Sequence, residues 1–188
     1  IFEVQAKGQT VEVMGLRASP VQIIESLFAT QRAFIPERFV QEMEGLAEGA
    51  GLPASRVFAA NLLPEMFHCS GFAVFGKATK DGTLYHGRVL DYATGWRLQE
   101  HAVLLVQEPE GKIPFANVSY AGFIGSVTGI NAEKVAIGEM GGGGQGRWAG
   151  TPMTFLVRRV LEEGRTLDDA IAVFRDSPRT CQYFFVIS

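Results

Sequence analysis

The chain has 188 residues, of which 47% are hydrophobic and 20% charged, and its 17 basic and 20 acidic residues give a net charge of −3. This composition is typical of an ordinary soluble globular protein and excludes a disordered or fibrous one. Because neither sign of charge forms a long block, nucleic acid and anionic membrane surfaces are not expected as main partners. No apolar run approaches the roughly 18 to 20 residues that span a bilayer, so no membrane-spanning helix is predicted.

The start of the chain and its cysteines leave the cellular location open. The chain begins Ile1-Phe2 without a methionine, so an upstream start and a removed signal peptide are compatible with either a cytoplasmic or an exported protein. Cys69 and Cys181 could pair, but two cysteines alone do not make a disulfide framework. Unpaired thiols are therefore expected.

The first part of the chain has the pattern of helices. Ser19-Pro20 is a helix start, with apolar residues recurring at helical spacing behind it. A second helix is predicted from about Pro36 to Gly51, where glycine ends it, and a shorter third one within 52–63.

From residue 70 the pattern changes to short strands separated by turns. The segments 72–75 and 84–90 flank Lys80-Asp81-Gly82 and predict a hairpin that starts directly after Cys69. Further strands are predicted at 103–107, 115–120, 123–130, 135–139 and 182–188, and two helices, opened by Met153 and Thr166, follow the glycine run 141–144. We therefore predict an α+β fold with antiparallel sheets. Because edge strands are normally blunted or covered, a chain ending on a strand leads us to expect further protein after Ser188.

The chemistry centres on Cys69. A reactive cysteine needs a base or a cationic neighbour, because the thiolate is the nucleophile. If the predicted hairpin pairs, Arg88 and Asp91 return beside Cys69. An arginine there favours the thiolate, and an aspartate there can hold an ammonium group.

These residues carry a resemblance to a known superfamily. Cys69-Ser70-Gly71-Phe72-Ala73-Val74-Phe75-Gly76, Asp81-Gly82-Thr83-Leu84 and Gly87-Arg88-Val89-Leu90-Asp91 resemble the opening of mature N-terminal-nucleophile (Ntn) cysteine hydrolases. The chain is most similar to their penicillin acyltransferase (peptidase C45) branch, which is related to choloylglycine hydrolases and acid-ceramidase-like amidases. The resemblance implies an αββα sandwich, an inactive precursor that cuts itself before the cysteine, and a freed α-amine that becomes the catalytic base.

The resemblance also implies a role for each matching residue. Cys69 would be the nucleophile in self-cleavage, at the bond between His68 and Cys69, and in turnover. Arg88 would polarise the site, Asp91 would orient the α-amine, and Asn131 would be an oxyanion donor. Residues 1–68 would form a helical propeptide and 69–188 the catalytic domain.

The family's second oxyanion asparagine has no match before Ser188. We therefore expect the catalytic domain to be incomplete at its C-terminus, or to associate with a separate C-terminal segment or chain; a homo-oligomer is also compatible. The expected substrate is a small amide or acyl compound. Its identity, and the choice between hydrolysis and acyl transfer, are not determined by the sequence.

Three further residues are weaker candidates for substrate binding. Glu139 precedes the glycine run and either lines the site or is a surface acid on a solvated loop. Phe72 and Trp148 either form apolar walls for an acyl chain or pack in the core. The glycine run lacks the Gly-Lys-Ser/Thr ending of a phosphate loop, and the histidines lack metal-ligand spacing, so no cofactor or metal is predicted.

Several alternatives stay open at this point. Arg88 and Asp91 could form a structural ion pair, and Asn131 could be only a turn residue. A conventional Cys-His hydrolase would pair Cys69 with His86 or His101. A binding or structural relative could keep the fold without the chemistry.

Overall fold

The computed structural model describes residues 11–13, 16–67, 69–144 and 146–188. Within these ranges a small antiparallel hairpin that the sequence pattern did not predict comes first, followed by three helices. The elements are β1 (Val11–Val13), β2 (Leu16–Ala18), α1 (Pro20–Gln31), α2 (Glu37–Ala50) and α3 (Ala54–Leu62), with short 3-10 turns at Arg32–Phe34 and Leu63–Met66. None of the helices in the described ranges is long and apolar enough to cross a membrane.

The predicted helix boundaries correspond to specific local bonds. The Ser19 hydroxyl accepts a hydrogen bond from the backbone N–H of Gln22 (3.2 Å), and the Gln22 side chain accepts one from the backbone N–H of Ser19 (2.9 Å). This capping box satisfies donors that the first turn leaves free. Gly51 ends α2 in the left-handed conformation, with φ of 64°, which glycine adopts without steric cost.

The rest of the chain forms two antiparallel sheets and two helices. The hairpin comprises β3 (Ser70–Gly76) and β4 (Gly82–Val89); the larger sheet has the order β5 (Ala102–Gln107), β6 (Phe115–Tyr120), β7 (Thr128–Asn131), β8 (Ala136–Gly144) and β9 (Gln182–Ile187); the helices are α4 (Met153–Glu163) and α5 (Leu167–Arg175), and 3-10 turns lie at Thr94–Trp96 and Leu98–His101. The prediction of an α+β fold with antiparallel sheets is confirmed.

Two strand assignments differ from the prediction. Of the predicted strand 123–130, only the part from Thr128 onward is extended, because side chains take the backbone groups that a strand would use. The Asn61 side chain accepts from the N–H groups of Ile124 (2.8 Å) and Gly125 (3.2 Å), and Asn117 donates to the Gly125 carbonyl (3.0 Å). Conversely, the glycine run 141–144 is not a loop but the end of β8.

Glycine allows the end of β8 to pass close to its neighbour. A Cβ on Gly142 would lie 1.9 Å from the carbonyl oxygen of Gln182, at the start of β9, so no larger residue fits there. Gly142 therefore serves strand packing between β8 and β9.

The five-stranded sheet lies between the helices and the hairpin. On one face, α4 packs so tightly that a Cβ on Gly129 would meet the Leu161 side chain at 2.7 Å. On the other face the hairpin approaches β8, where a Cβ on Gly138 would meet Arg88 and His86 at 3.1 Å. Side chains of adjacent strand residues point to opposite faces, which explains this division.

Part of the sheet face beside the hairpin is apolar and exposed. Leu104, Val106 and Val118 are 66%, 70% and 58% exposed, and Ile130 on β7 is 48% exposed. The described part of the chain does not cover these four residues. The expectation that a further segment or chain associates with this one stays a prediction.

Glu65 joins the helical segment to the sheet-bearing part of the chain. Its side chain is buried and accepts hydrogen bonds from the backbone N–H of Met153 at the start of α4 (2.6 Å) and from the Gln31 amide (3.3 Å). Burial raises the pKa of Glu65 from 4.5 to about 7, although these bonds and one with Thr180 lower it. The carboxyl group is therefore partly protonated near neutral pH.

We expect the Glu65→Gln variant to lose the part of the pH dependence of stability that comes from Glu65. A carboxyl whose pKa is raised by folding stabilises the protein fully below pH 4.5, and this stabilisation is lost as pH rises through about 7. The contribution of Glu65 to the wild-type free energy of unfolding should therefore fall over that window by on the order of 3 kcal/mol, and the variant should lack this fall. Urea unfolding at several pH values, in a Cys69→Ala background, measures this.

The exposed Glu48 on α2 provides the matched control. Glu48→Gln should keep the wild-type pH dependence. A Glu65→Gln variant whose stability follows pH as the wild type does would show that another group titrates in this window.

Candidate active site

Cys69 is buried at the entrance to β3. Its carbonyl oxygen accepts a hydrogen bond from the backbone N–H of Gly141 on β8 (3.0 Å), and the backbone N–H of Asp91 hydrogen-bonds its thiol. His68, the other side of the predicted cut, lies outside the described residues. Cys69 is thus fixed from both its main chain and its side chain, and neither it nor Cys181 is in a disulfide.

Arg88 reaches the thiol from the partner strand of the hairpin. It pairs with Gly71 in the register of β3 and β4, and its side chain is 5% exposed. One guanidinium nitrogen, Nη2, donates to the Cys69 Sγ and also lies 3.1 Å from Glu139 Oε2. The hairpin register that the sequence predicts therefore brings Arg88 to Cys69.

Glu139 is a buried partner of Arg88. Its side chain is 1% exposed, and its backbone carbonyl accepts a second bond from Arg88 Nε (3.4 Å). The alternative of a surface acid on a solvated loop is wrong, because β8 continues through Glu139 and the hairpin covers this part of the strand. Two opposite charges thus lie out of water next to the thiol.

Burial dominates the acidity of the thiol. It raises the pKa of Cys69 from 9.0 to about 12; Arg88 lowers the pKa, and Glu139 raises it further. The guanidinium alone would favour the thiolate, but its charge is largely matched by Glu139. In this state the thiol is protonated at neutral pH, so it needs a base before it can act as a nucleophile.

Asp91 lies beside the residue that follows Cys69. Its carboxylate accepts a hydrogen bond from the Ser70 hydroxyl, across the register in which Ser70 pairs with Val89. The carboxylate therefore sits near the main chain of Cys69, while the Asp91 N–H contacts the sulfur.

Asn131 does not reach Cys69. Its amide nitrogen donates to the carbonyls of Leu161 (3.2 Å) and Gly164 (2.7 Å), and its Oδ1 accepts from the N–H groups of Glu133 and Val135. Asn131 lies beside Val135, whereas Cys69 lies beside Gly141, and six residues of β8 separate these points by roughly 20 Å. The prediction that Asn131 is an oxyanion donor is therefore corrected: it binds the β7–β8 turn to the end of α4.

The other predicted residues also lie apart from the thiol. Phe72 is 54% exposed on the outer side of the hairpin, and Trp148 packs against the helical core. Nδ1 of His86 lies 2.8 Å from the Ser188 hydroxyl, and His101 belongs to an exposed 3-10 turn. No contact found among the described residues joins either histidine to Cys69.

A cavity of about 300 Å³ adjoins the site, and no sequence pattern predicts it. Its walls include Arg88, Leu90, Tyr92, Leu98 and Tyr120. Tyr92 is the residue after Asp91, and its ring packs against Phe67. Aromatic residues inside strands and turns usually indicate core packing, so no sequence signal distinguished the two tyrosines from that role.

We expect Glu139→Gln to make Cys69 more reactive. Removing the carboxylate leaves Arg88 without its counter-charge, which lowers the thiol pKa, so iodoacetamide alkylation at fixed pH should be about tenfold faster. Arg88→Gln should slow it. Intact-mass kinetics in a Cys181→Ala background measure the rate, with circular dichroism as a check on folding. Glu133→Gln, in an exposed ion pair with Arg165, is the matched charge control and should leave the rate unchanged.

We expect Asn131→Ala to destabilise the fold without changing the site. Four main-chain groups lose their partner, so unfolding should cost about 2 to 4 kcal/mol less than in the wild type. Denaturant unfolding measures the loss, and the rate of Cys69 alkylation should remain that of the wild type. Unchanged stability together with altered alkylation would contradict the structural role.

Comparison with known proteins gives several curated relatives. The chain is 29% identical over 81% of its length to Protein dcd1A of Dictyostelium discoideum, covering 38% of that protein. It is 23% identical over 88% of its length to N-acylethanolamine-hydrolyzing acid amidase of Cavia porcellus, covering 49%, and 25% identical over 81% of its length to acid ceramidase of Rattus norvegicus, covering 45%. The chain thus spans about half or less of these curated relatives.

A solved structure and a family model are also similar to this chain. A Caenorhabditis elegans N-acylethanolamine-hydrolyzing acid amidase ortholog superposes with a TM-score of 0.49 at 19% identity, over 63% of this chain and 53% of the other. The model of the acyl-coenzyme A:6-aminopenicillanic acid acyl-transferase family matches residues 77–188, which is more than half of the chain. The chain belongs to this acyl-transferase family and, with it, to the Ntn hydrolase superfamily.

Proposed function

We propose that this protein is a self-cleaving Ntn cysteine amidohydrolase or acyltransferase that acts on a linear, non-peptide amide. The observation that carries the proposal is the position of Cys69. It is held at the start of a strand, with Arg88 and the Asp91 N–H on its sulfur and the Gly141 N–H on its carbonyl oxygen. Membership of the acyl-transferase family supports the same chemistry.

Self-cleavage would proceed through a thioester. The Cys69 sulfur attacks the carbonyl carbon of His68, the bond to the Cys69 nitrogen breaks, and that nitrogen leaves as a free α-amine after taking a proton. Water then hydrolyses the thioester and leaves a carboxylate on His68. Residues 1–68 would in this way become a propeptide and 69–188 the catalytic part.

Cleavage would also supply the base that the buried thiol lacks. An amide nitrogen is not basic, whereas an α-amine has a pKa of about 7.7 to 8 and can accept the thiol proton near neutral pH. Arg88 would stabilise the thiolate as it forms. The Asp91 carboxylate, beside Ser70, would orient the new ammonium group.

The substrate class is inferred from the relatives and the cavity. Two similar proteins are named for hydrolysing N-acylethanolamines and for ceramidase activity. The cavity beside Arg88 is mostly lined by apolar groups, which fits the acyl part of such an amide. We propose a small N-acyl amide as substrate, with water or an amine completing turnover of the thioester.

Intact-mass measurement tests the proposal on the protein with its natural flanking sequence. We expect the wild type to be cut between His68 and Cys69, the new chain to begin with Cys69, and Cys69→Ala to stay whole, because it lacks the nucleophile. Cys181→Ala is the matched control and should be cut at the wild-type rate. A fluorogenic N-acyl arylamide then measures turnover.

Two outcomes would contradict the proposal. If the wild type stays whole at all pH values tested, or if Cys69→Ala is cut equally, self-processing by Cys69 is wrong. A protein that is processed normally but loses turnover in His86→Asn or His101→Asn would instead support a Cys-His pair.

A further inference from the structure

The hydroxyl of Tyr120 is buried without a hydrogen-bond partner in the described structure. Tyr120 ends β6, is 6% exposed, and stacks its ring on Phe123 at a centroid distance of 4.8 Å. A buried polar group left unpaired costs about 1 to 3 kcal/mol, and native proteins rarely keep one without a reason. By contrast, the hydroxyl of Tyr183 donates to the Glu65 carbonyl (2.8 Å).

The position of Tyr120 connects this hydroxyl to the candidate nucleophile. Tyr120 and Arg88 both line the 300 Å³ cavity, and Arg88 also donates to the Cys69 sulfur. The pKa of the Tyr120 hydroxyl responds to the charge of Arg88 and to ionisation of the Cys69 thiol, so the three groups lie within electrostatic range. Burial raises the pKa of Tyr120, which keeps the hydroxyl protonated and able to donate.

The proposed reaction at this site needs a hydrogen-bond donor. A developing oxyanion needs hydrogen-bond donors, and Asn131 is committed to the β7–β8 turn. Arg88 is already shared between the thiol and Glu139. Tyr120 offers an O–H that no other described group uses.

We propose that Tyr120 donates a hydrogen bond to the carbonyl oxygen of the amide substrate as that oxygen becomes the oxyanion. This inference rests on the proposed function. The Cys69 sulfur bonds to the carbonyl carbon, and the carbonyl π pair moves to the oxygen that Tyr120 contacts. The C–N bond then breaks, and the amine leaves with the proton that the thiol gave up. Tyr120 keeps its own proton throughout.

The Tyr120→Phe variant tests the assignment because it removes one oxygen and keeps the ring. With a fluorogenic N-acyl arylamide as probe and the processed full-length protein, kcat should fall about 100-fold, while KM stays within about twofold. The thermal midpoint should stay equal or rise, since an unpaired buried hydroxyl is lost. Tyr85→Phe, on the exposed side of β4, is the matched control and should match the wild type.

Three other results would overturn the donor role of Tyr120. If kcat of Tyr120→Phe stays within about threefold of the wild type, the donor role is wrong and the proposed function stands. If kcat and the thermal midpoint fall together, Tyr120 is structural and the donor role is again overturned. If the wild type neither processes itself nor turns over the probe, the proposed function fails and this inference fails with it.

Discussion

The buried ion pair of Arg88 and Glu139 is the constraint on which the rest of the site depends. Both side chains are at most 5% exposed, and they join the hairpin to the five-stranded sheet. Taking two charges out of water costs several kcal/mol each, so such a pair persists only with good geometry and additional hydrogen bonds. Arg88 meets this condition with bonds to the Glu139 carboxylate, the Glu139 carbonyl and the Cys69 sulfur.

The same pair helps to explain why the Cys69 thiol stays protonated. An arginine next to a cysteine is usually associated with a thiolate, but here the neighbouring carboxylate offsets that charge and burial dominates. The protein thus places a cation at the sulfur without ionising it. A protonated cysteine next to a cation stays unreactive until a base takes its proton. A cysteine that had to react as soon as the chain folds would need to be a thiolate already.

The parts of the fold that the sequence predicted are those determined by neighbours along the chain. Ser19 with Gln22, and Gly51, define helix ends through bonds of three to five residues. The contact of Arg88 with Cys69 was also predictable, because a hairpin with a short turn has a defined register.

The errors concern long-range bonds between side chains and main chain. The segment 123–127 has the residue pattern of a strand, but Asn61 binds its backbone N–H groups and prevents strand pairing. Asn61 lies more than sixty positions earlier, so the local pattern does not reveal this. Asn131 matched a motif, but its partners lie on α4. Glu65 and Tyr120 have roles that depend on burial alone, which residue spacing does not reveal.

The hydrogen bond from Gly141 to the Cys69 carbonyl has a consequence for the assembled molecule. It lies on the opposite side of the Cys69 Cα from the bond to His68, so it does not depend on that bond. Asn61 and Glu65 likewise hold the helical segment through contacts outside the junction. Breaking the junction would convert an intramolecular fold into a two-chain complex. Its unfolding would then depend on protein concentration, whereas that of the continuous chain does not.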